Sequence, residues 1–87
     1  MSASIFGDGT NPLAAGRTVR QEFTATGGQT VFDLTLFTYT PGNGSLEVYV
    51  NGILQRLTTD YVETSSTRIT MVEGLLVGDY LTAKGYL

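Results

Sequence analysis

The chain has 87 residues and a net charge of −3, with no Cys, His or Trp. That length bounds it to one small domain with a core near the lower limit of self-sufficiency, and the missing Cys removes disulfides and thiolate metal sites as staples. The missing His excludes Ser-His-Asp and Cys-His catalysis and imidazole metal ligation, and the five basic residues, Arg17, Arg20, Arg56, Arg68 and Lys84, are scattered rather than clustered as phosphate-backbone binding needs.

Fourteen Thr and 11 Gly against two Pro and a single Lys point to an all-β chain. The β-branch of Thr packs on a pleated surface, and Gly supplies the turns between strands. No apolar run approaches the roughly 20 residues of a membrane-spanning helix, so no membrane span is expected. The N-terminus lacks the basic and long apolar regions of a secretory signal, which implies use without signal-dependent export.

Residues 1–18 differ from the remainder. Gly7, Asp8, Gly9, Thr10, Asn11, Pro12 and Gly16 interrupt any periodicity, leaving Ile5-Phe6 and Leu13-Ala14-Ala15 as apolar islands. Two readings stand: a disordered tail, or an extended arm that orders on a neighbouring subunit with Ile5, Phe6 and Leu13 as anchors. Asp8-Gly9-Thr10-Asn11 resembles the start of a calcium loop but lacks the later bidentate Glu, so no metal is expected there.

From Val19 the pattern becomes that of strands. Val19, Gln21, Phe23 and Ala25 alternate with polar residues, Thr26-Gly27-Gly28-Gln29 turns the chain, and Phe32, Leu34 and Leu36 alternate in a second strand expected to form a hairpin with the first. Thr38 to Gly44 is a longer connection in which Pro41-Gly42 suits the centre of a type II turn. Leu46 to Leu57 is a hairpin around Asn51-Gly52, since both central residues of a type I′ turn need φ > 0. A two-residue loop sets Val50 opposite Ile53, Tyr49 opposite Leu54 and Glu47 opposite Arg56. It gathers Leu46, Val48, Val50, Ile53 and Leu57 on one face. Tyr61-Val62-Glu63 is a short strand, Ser65-Ser66 a turn, and Arg68 to Val72 a strand with Ile69 and Met71 inward. Glu73 to Asp79 reads as a loop with an apolar plug, and Tyr80 to Tyr86 is the last strand, with Leu81 and Ala83 inward. The sum is a small antiparallel β-sandwich or partly closed barrel of about seven strands over residues 19–87, preceded by the arm 1–18. A body this small gains from self-association.

No acid, base and nucleophile share a catalytic spacing, and no Gly pattern forms a phosphate loop, so the chain is expected to be no enzyme and to hold no cofactor. Asp60 and Asp79, each preceding a Tyr at a strand start, read as turn residues. Tyr39, Tyr49, Tyr61, Tyr80 and Tyr86 with the Phe residues suit core and interface packing first, and carbohydrate stacking second. Tyr49 and Leu54, paired on the face that meets solvent, are candidates for a subunit contact.

Phe23-Thr24-Ala25-Thr26-Gly27-Gly28-Gln29-Thr30-Val31-Phe32, Tyr39-Thr40-Pro41-Gly42, and Ser45 to Gly52 are followed in order by Asp60-Tyr61-Val62-Glu63-Thr64, Ile69-Thr70, and Leu75 to Asp79. The ordered set resembles a small β-domain of tailed-bacteriophage tail fibres and tailspikes, over about residues 22–84. The resemblance implies a virion location, a homotrimer and an attachment or spacer role beside other virion proteins of tail or head. The chain ends at Leu87 without a shaft or a receptor-binding region, which narrows that expectation to a short fibre, an adaptor or a capsid decoration protein. The alternative is a module that binds a host glycan or receptor through exposed tyrosines; a cell-encoded adhesion module is a third reading.

Overall fold

The computed structural model describes residues 17–86, which form seven strands and no helix. They are β1 (Thr18–Thr24), β2 (Gln29–Asp33), β3 (Leu46–Val50), β4 (Ile53–Leu54), β5 (Tyr61–Ser65), β6 (Arg68–Leu75) and β7 (Tyr80–Tyr86). A four-stranded sheet runs β1-β7-β3-β4 and a three-stranded sheet β2-β6-β5, both antiparallel. The sheets form a small sandwich and do not close into a barrel. The arm anchors Ile5, Phe6 and Leu13 lie outside the described residues.

Strand alternation builds the core between the sheets. Val48, Ile69, Leu81 and Ala83 are wholly buried and Phe32 nearly so, with Leu34, Tyr39, Leu46, Tyr61, Met71 and Leu75 around them. Phe23 from one sheet meets Phe32 from the other edge-to-face at 5.4 Å, the geometry that brings a positive ring edge to a negative ring face. The buried Tyr39 hydroxyl donates to Arg68 O at 2.8 Å, so the ring enters the core without stranding its polar atom.

The expected hairpin between the first two strands does not form: β1 pairs with β7, and β2 with β6 in the opposite sheet. The turn at Thr26–Gln29 is present, closed by Gln29 N to Thr26 O with Gly28 at φ 76°. Each of its ends, however, is held by a different strand. Ala25 exchanges backbone bonds with Gly78 and Asp79 just before β7, while Gly28 N donates to Leu75 O at the end of β6. The turn is therefore an arch across the sandwich. Leu36 stands 72% exposed rather than inward, because the chain has left β2 at Asp33. Gln21 Oε1 then accepts from the N–H of Thr35 and of Leu36, at 2.8 and 3.0 Å, and fastens that segment to β1.

The Asn51-Gly52 hairpin keeps its predicted register, Val50 opposite Ile53 and Tyr49 opposite Leu54, with φ of 51° and 84° at the turn. It is shorter than the pattern suggests. Gln55 N still reaches Val48 O, but Arg56 O then accepts from the N–H of Asp60 and of Tyr61, and Thr58 takes φ 70°. This tight turn lifts the chain into the second sheet. Ile53 and Leu57 are consequently 68% and 41% exposed, and Arg56 never lies opposite Glu47. The central partner of β3 is instead β7, which places Lys84 beside Glu47. The loop expected at Glu73–Asp79 is partly strand: β6 runs to Leu75, which is buried, while Leu76 and Val77 stay exposed.

Candidate functional site: the outer face of the four-stranded sheet

The register places residues of distant segments in rows on the solvent face of this sheet. Glu22, Thr82, Tyr49 and Leu54 form one row across β1, β7, β3 and β4; Arg20, Lys84 and Glu47 form the next; Thr18 with Tyr86 and Thr24 with Tyr80 flank them. Every second residue of a strand points the same way, so this face carries three tyrosines, two carboxylates and two cations.

Those groups are tied to one another. Glu47 Oε1 accepts from the hydroxyls of Tyr49 and Tyr86, both at 2.8 Å, and the Tyr80 hydroxyl donates to Glu22. Arg20 lies 3.6 Å from Glu22, and the Lys84 ammonium sits 5.5 Å from the centre of the Tyr86 ring, within cation–π range. The Tyr49 and Tyr86 hydroxyls, with the charge of Lys84, hold the Glu47 carboxyl below its ordinary range. Donation to Glu47 pushes the Tyr49 hydroxyl up, and donation to Glu22 pushes the Tyr80 hydroxyl up. Side chains pinned this way present ring faces and acceptors at low ordering cost.

Tyr49 and Leu54 sit together on this face as the hairpin register requires; Tyr49 is half-buried and Leu54 is 52% exposed. Tyr80, Tyr86 and Glu22 join them only because β7 lies between β1 and β3. The alternation of Tyr80, Thr82, Lys84 and Tyr86 signals one polar face in sequence, but not its neighbours.

Exposed apolar side chains gather at the arch end of the sandwich, where Leu76 and Val77 are 73% and 79% exposed near the Asn51-Gly52 turn that carries Ile53. A shallow cleft of about 370 Å³ opens there, lined by Gln55, Asp60, Met71, Glu73, Leu76 and Asp79 among others. Two of its carboxylates already serve tight turns: Asp60 accepts from Arg56 N and Asp79 from Leu76 N, each at 2.9 Å. Among the described residues, no cluster of acidic side chains is placed to hold a metal ion.

No known family model matches this chain, and no curated protein matches it.

Proposed function

We propose that this chain is a non-enzymatic structural module of a tailed-phage virion, a short fibre, adaptor or decoration protein that docks through its N-terminal segment. The observation that carries the reading is the ordered set of fibre-like segments between Phe23 and Asp79. In the fold they supply the end of β1, the arch to β2, the β3 turn and the β6–β7 arch, the framework of one sandwich. The chain's chemistry supports contact rather than turnover, with pinned tyrosines on one face and exposed Leu76 and Val77 at one end. Leu54, flanked by Tyr49, is the apolar residue of the outer face that a neighbouring subunit would cover.

Removing residues 1–16 leaves β1 whole and tests the docking segment. The truncated protein should fold, with an unchanged far-UV spectrum, and fail to enter particles during infection. Normal incorporation would overturn docking through this segment. A host-glycan reading is favoured by one observation, the three tyrosine rings on a single face beside two carboxylates. Titration of the full chain against host surface glycans separates the two, because saturable binding lost in Tyr80→Ala would select the glycan reading.

A further inference from the structure

β1 is an edge strand seven residues long, and its sequence, Thr18-Val19-Arg20-Gln21-Glu22-Phe23-Thr24, is complementary to itself when reversed. Placed antiparallel about Gln21, Thr18 faces Thr24, Val19 faces Phe23, and Arg20 faces Glu22. We propose that two copies of this chain associate through β1, edge to edge around a two-fold axis at Gln21, joining their four-stranded sheets into one continuous sheet. The inference rests on this strand alone and does not depend on the virion reading.

Among the described residues, the outer edge of β1 offers the backbone groups that such pairing needs. Asn51 N donates to Tyr80 O and Tyr86 N donates to Ser45 O, so the even-numbered residues of β7 turn their backbone groups toward β3. The odd-numbered ones then bond β1, through Leu81 with Phe23, Ala83 with Gln21 and Gly85 with Val19. Alternation leaves the N–H and C=O groups of Thr18, Arg20, Glu22 and Thr24 pointing away from β7. Among the described residues, none of these four has a backbone partner on that side.

The two-fold register joins these outward residues to one another, Thr18 with Thr24 and Arg20 with Glu22. It also keeps the faces in step: Val19 and Phe23, half-buried toward the core, meet on the inner side, and the charges meet on the outer side. Charge complementarity selects this register over its neighbours. A slip of two residues in one direction sets Arg20 against Arg20 of the second copy, and in the other direction Glu22 against Glu22. Like charges directly opposite oppose pairing, whereas opposite charges favour it. Gln21, on the axis, holds Leu36 N at 3.0 Å and so brings the 72% exposed Leu36 beside the seam. β1 carries no Pro and no inward charge, two of the usual guards against such pairing. The partner is a second copy, and the symmetry is isologous, in place of the three-fold assembly that the resemblance implies.

Sedimentation of the full-length protein and two charge variants tests the contact. The unaltered chain should sediment as a dimer. Arg20→Glu sets carboxylate against carboxylate at both outer pairs, and Glu22→Arg sets guanidinium against guanidinium, so each variant alone should dissociate with a constant about tenfold or more weaker. An equimolar mixture of the two should recover the dimer, because the two carboxylates on β1 of one variant then face the two guanidinium groups on β1 of the other. The double variant, which exchanges the two charges, should dimerise as the original does, and it decides the matter if either single variant fails to fold. A monomeric original chain, a trimer, a dimer indifferent to both variants, or a mixture that stays monomeric would overturn the proposal.

Discussion

Gly74 has no room for a side chain. A Cβ at this position would lie 2.7 Å from Gly28 O and 2.9 Å from Gly28 Cα, so the obstacle is backbone rather than a side chain that can turn aside. Gly28 cannot retreat either, because its N–H is bonded to Leu75 O at 2.7 Å and its φ of 76° sets the arch from β1 to β2. Gly74→Ala should therefore destabilise the protein by about 1–3 kcal/mol, the usual cost of overpacking, and lower its midpoint in urea. Gly85→Ala makes a contrast. Its Cβ would meet the Phe37 ring at 2.8 Å, yet that ring is only half-buried and can swing outward. The smaller loss expected at Gly85 is readable in the same unfolding experiment, and equal losses at the two sites would show that the Gly28 arch yields.

Asn51 does more than turn the β3–β4 hairpin. Its side-chain Oδ1 accepts from Tyr80 N at 2.9 Å, and its Nδ2 donates to Asp79 Oδ1 at 3.1 Å, so the hairpin turn is fastened to the start of β7. Asn51→Gly preserves the left-handed backbone at φ 51° but removes both bonds. It should cost about 1–2 kcal/mol, measured by thermal melting, and no change would mean that the side-chain bonds contribute nothing net. The local part of this element was legible in sequence: the dipeptide specifies the turn, and the turn specifies that Tyr49 meets Leu54. The reach to β7 was not, because it depends on which strand lies beside β3. The same division runs through the fold. Strand number, the inward faces of Phe32, Ile69 and Leu81, and the turn at Pro41-Gly42 follow from period-two alternation and turn chemistry. The pairing of β1 with β7 does not, because Thr26–Gln29 reads identically as a hairpin turn and as an arch. Which one it becomes is decided by backbone bonds from Leu75, Gly78 and Asp79, far along the chain. The candidate face was half legible for that reason: Tyr49 and Leu54 follow from the hairpin, while Tyr80, Tyr86 and Glu22 need the long-range register.

The whole molecule joins its two sheets over a core that contains two phenols, and this makes the fold sensitive to alkali. Tyr39 and Tyr61 are 5% and 3% exposed. Burial, and then the charge of Glu63, pushes the Tyr39 hydroxyl up to about 12, and burial with the charge and hydrogen bond of Glu63 raises Tyr61 further still. In the unfolded chain both hydroxyls ionise near their ordinary value of about 10. Above that pH the unfolded state holds fewer protons than the folded one, so stability falls with rising pH. The contribution is complete below about pH 10 and is lost progressively as the pH climbs through the raised value of about 12 for Tyr39. Tyr49 and Tyr80, raised by their carboxylate bonds but lying on the outer face rather than in the core, ionise with the sandwich intact. An alkaline titration followed by tyrosine absorbance should accordingly show two stages, with Tyr39 and Tyr61 ionising only as the far-UV signal of the strands disappears. In Tyr39→Phe/Tyr61→Phe the second stage should vanish, and the decline of stability above about pH 10 should flatten, even though loss of the Tyr39 bond to Arg68 O lowers stability at neutral pH. A single-stage titration of all five with the strand signal unchanged would show that the two rings do not stand between the sheets.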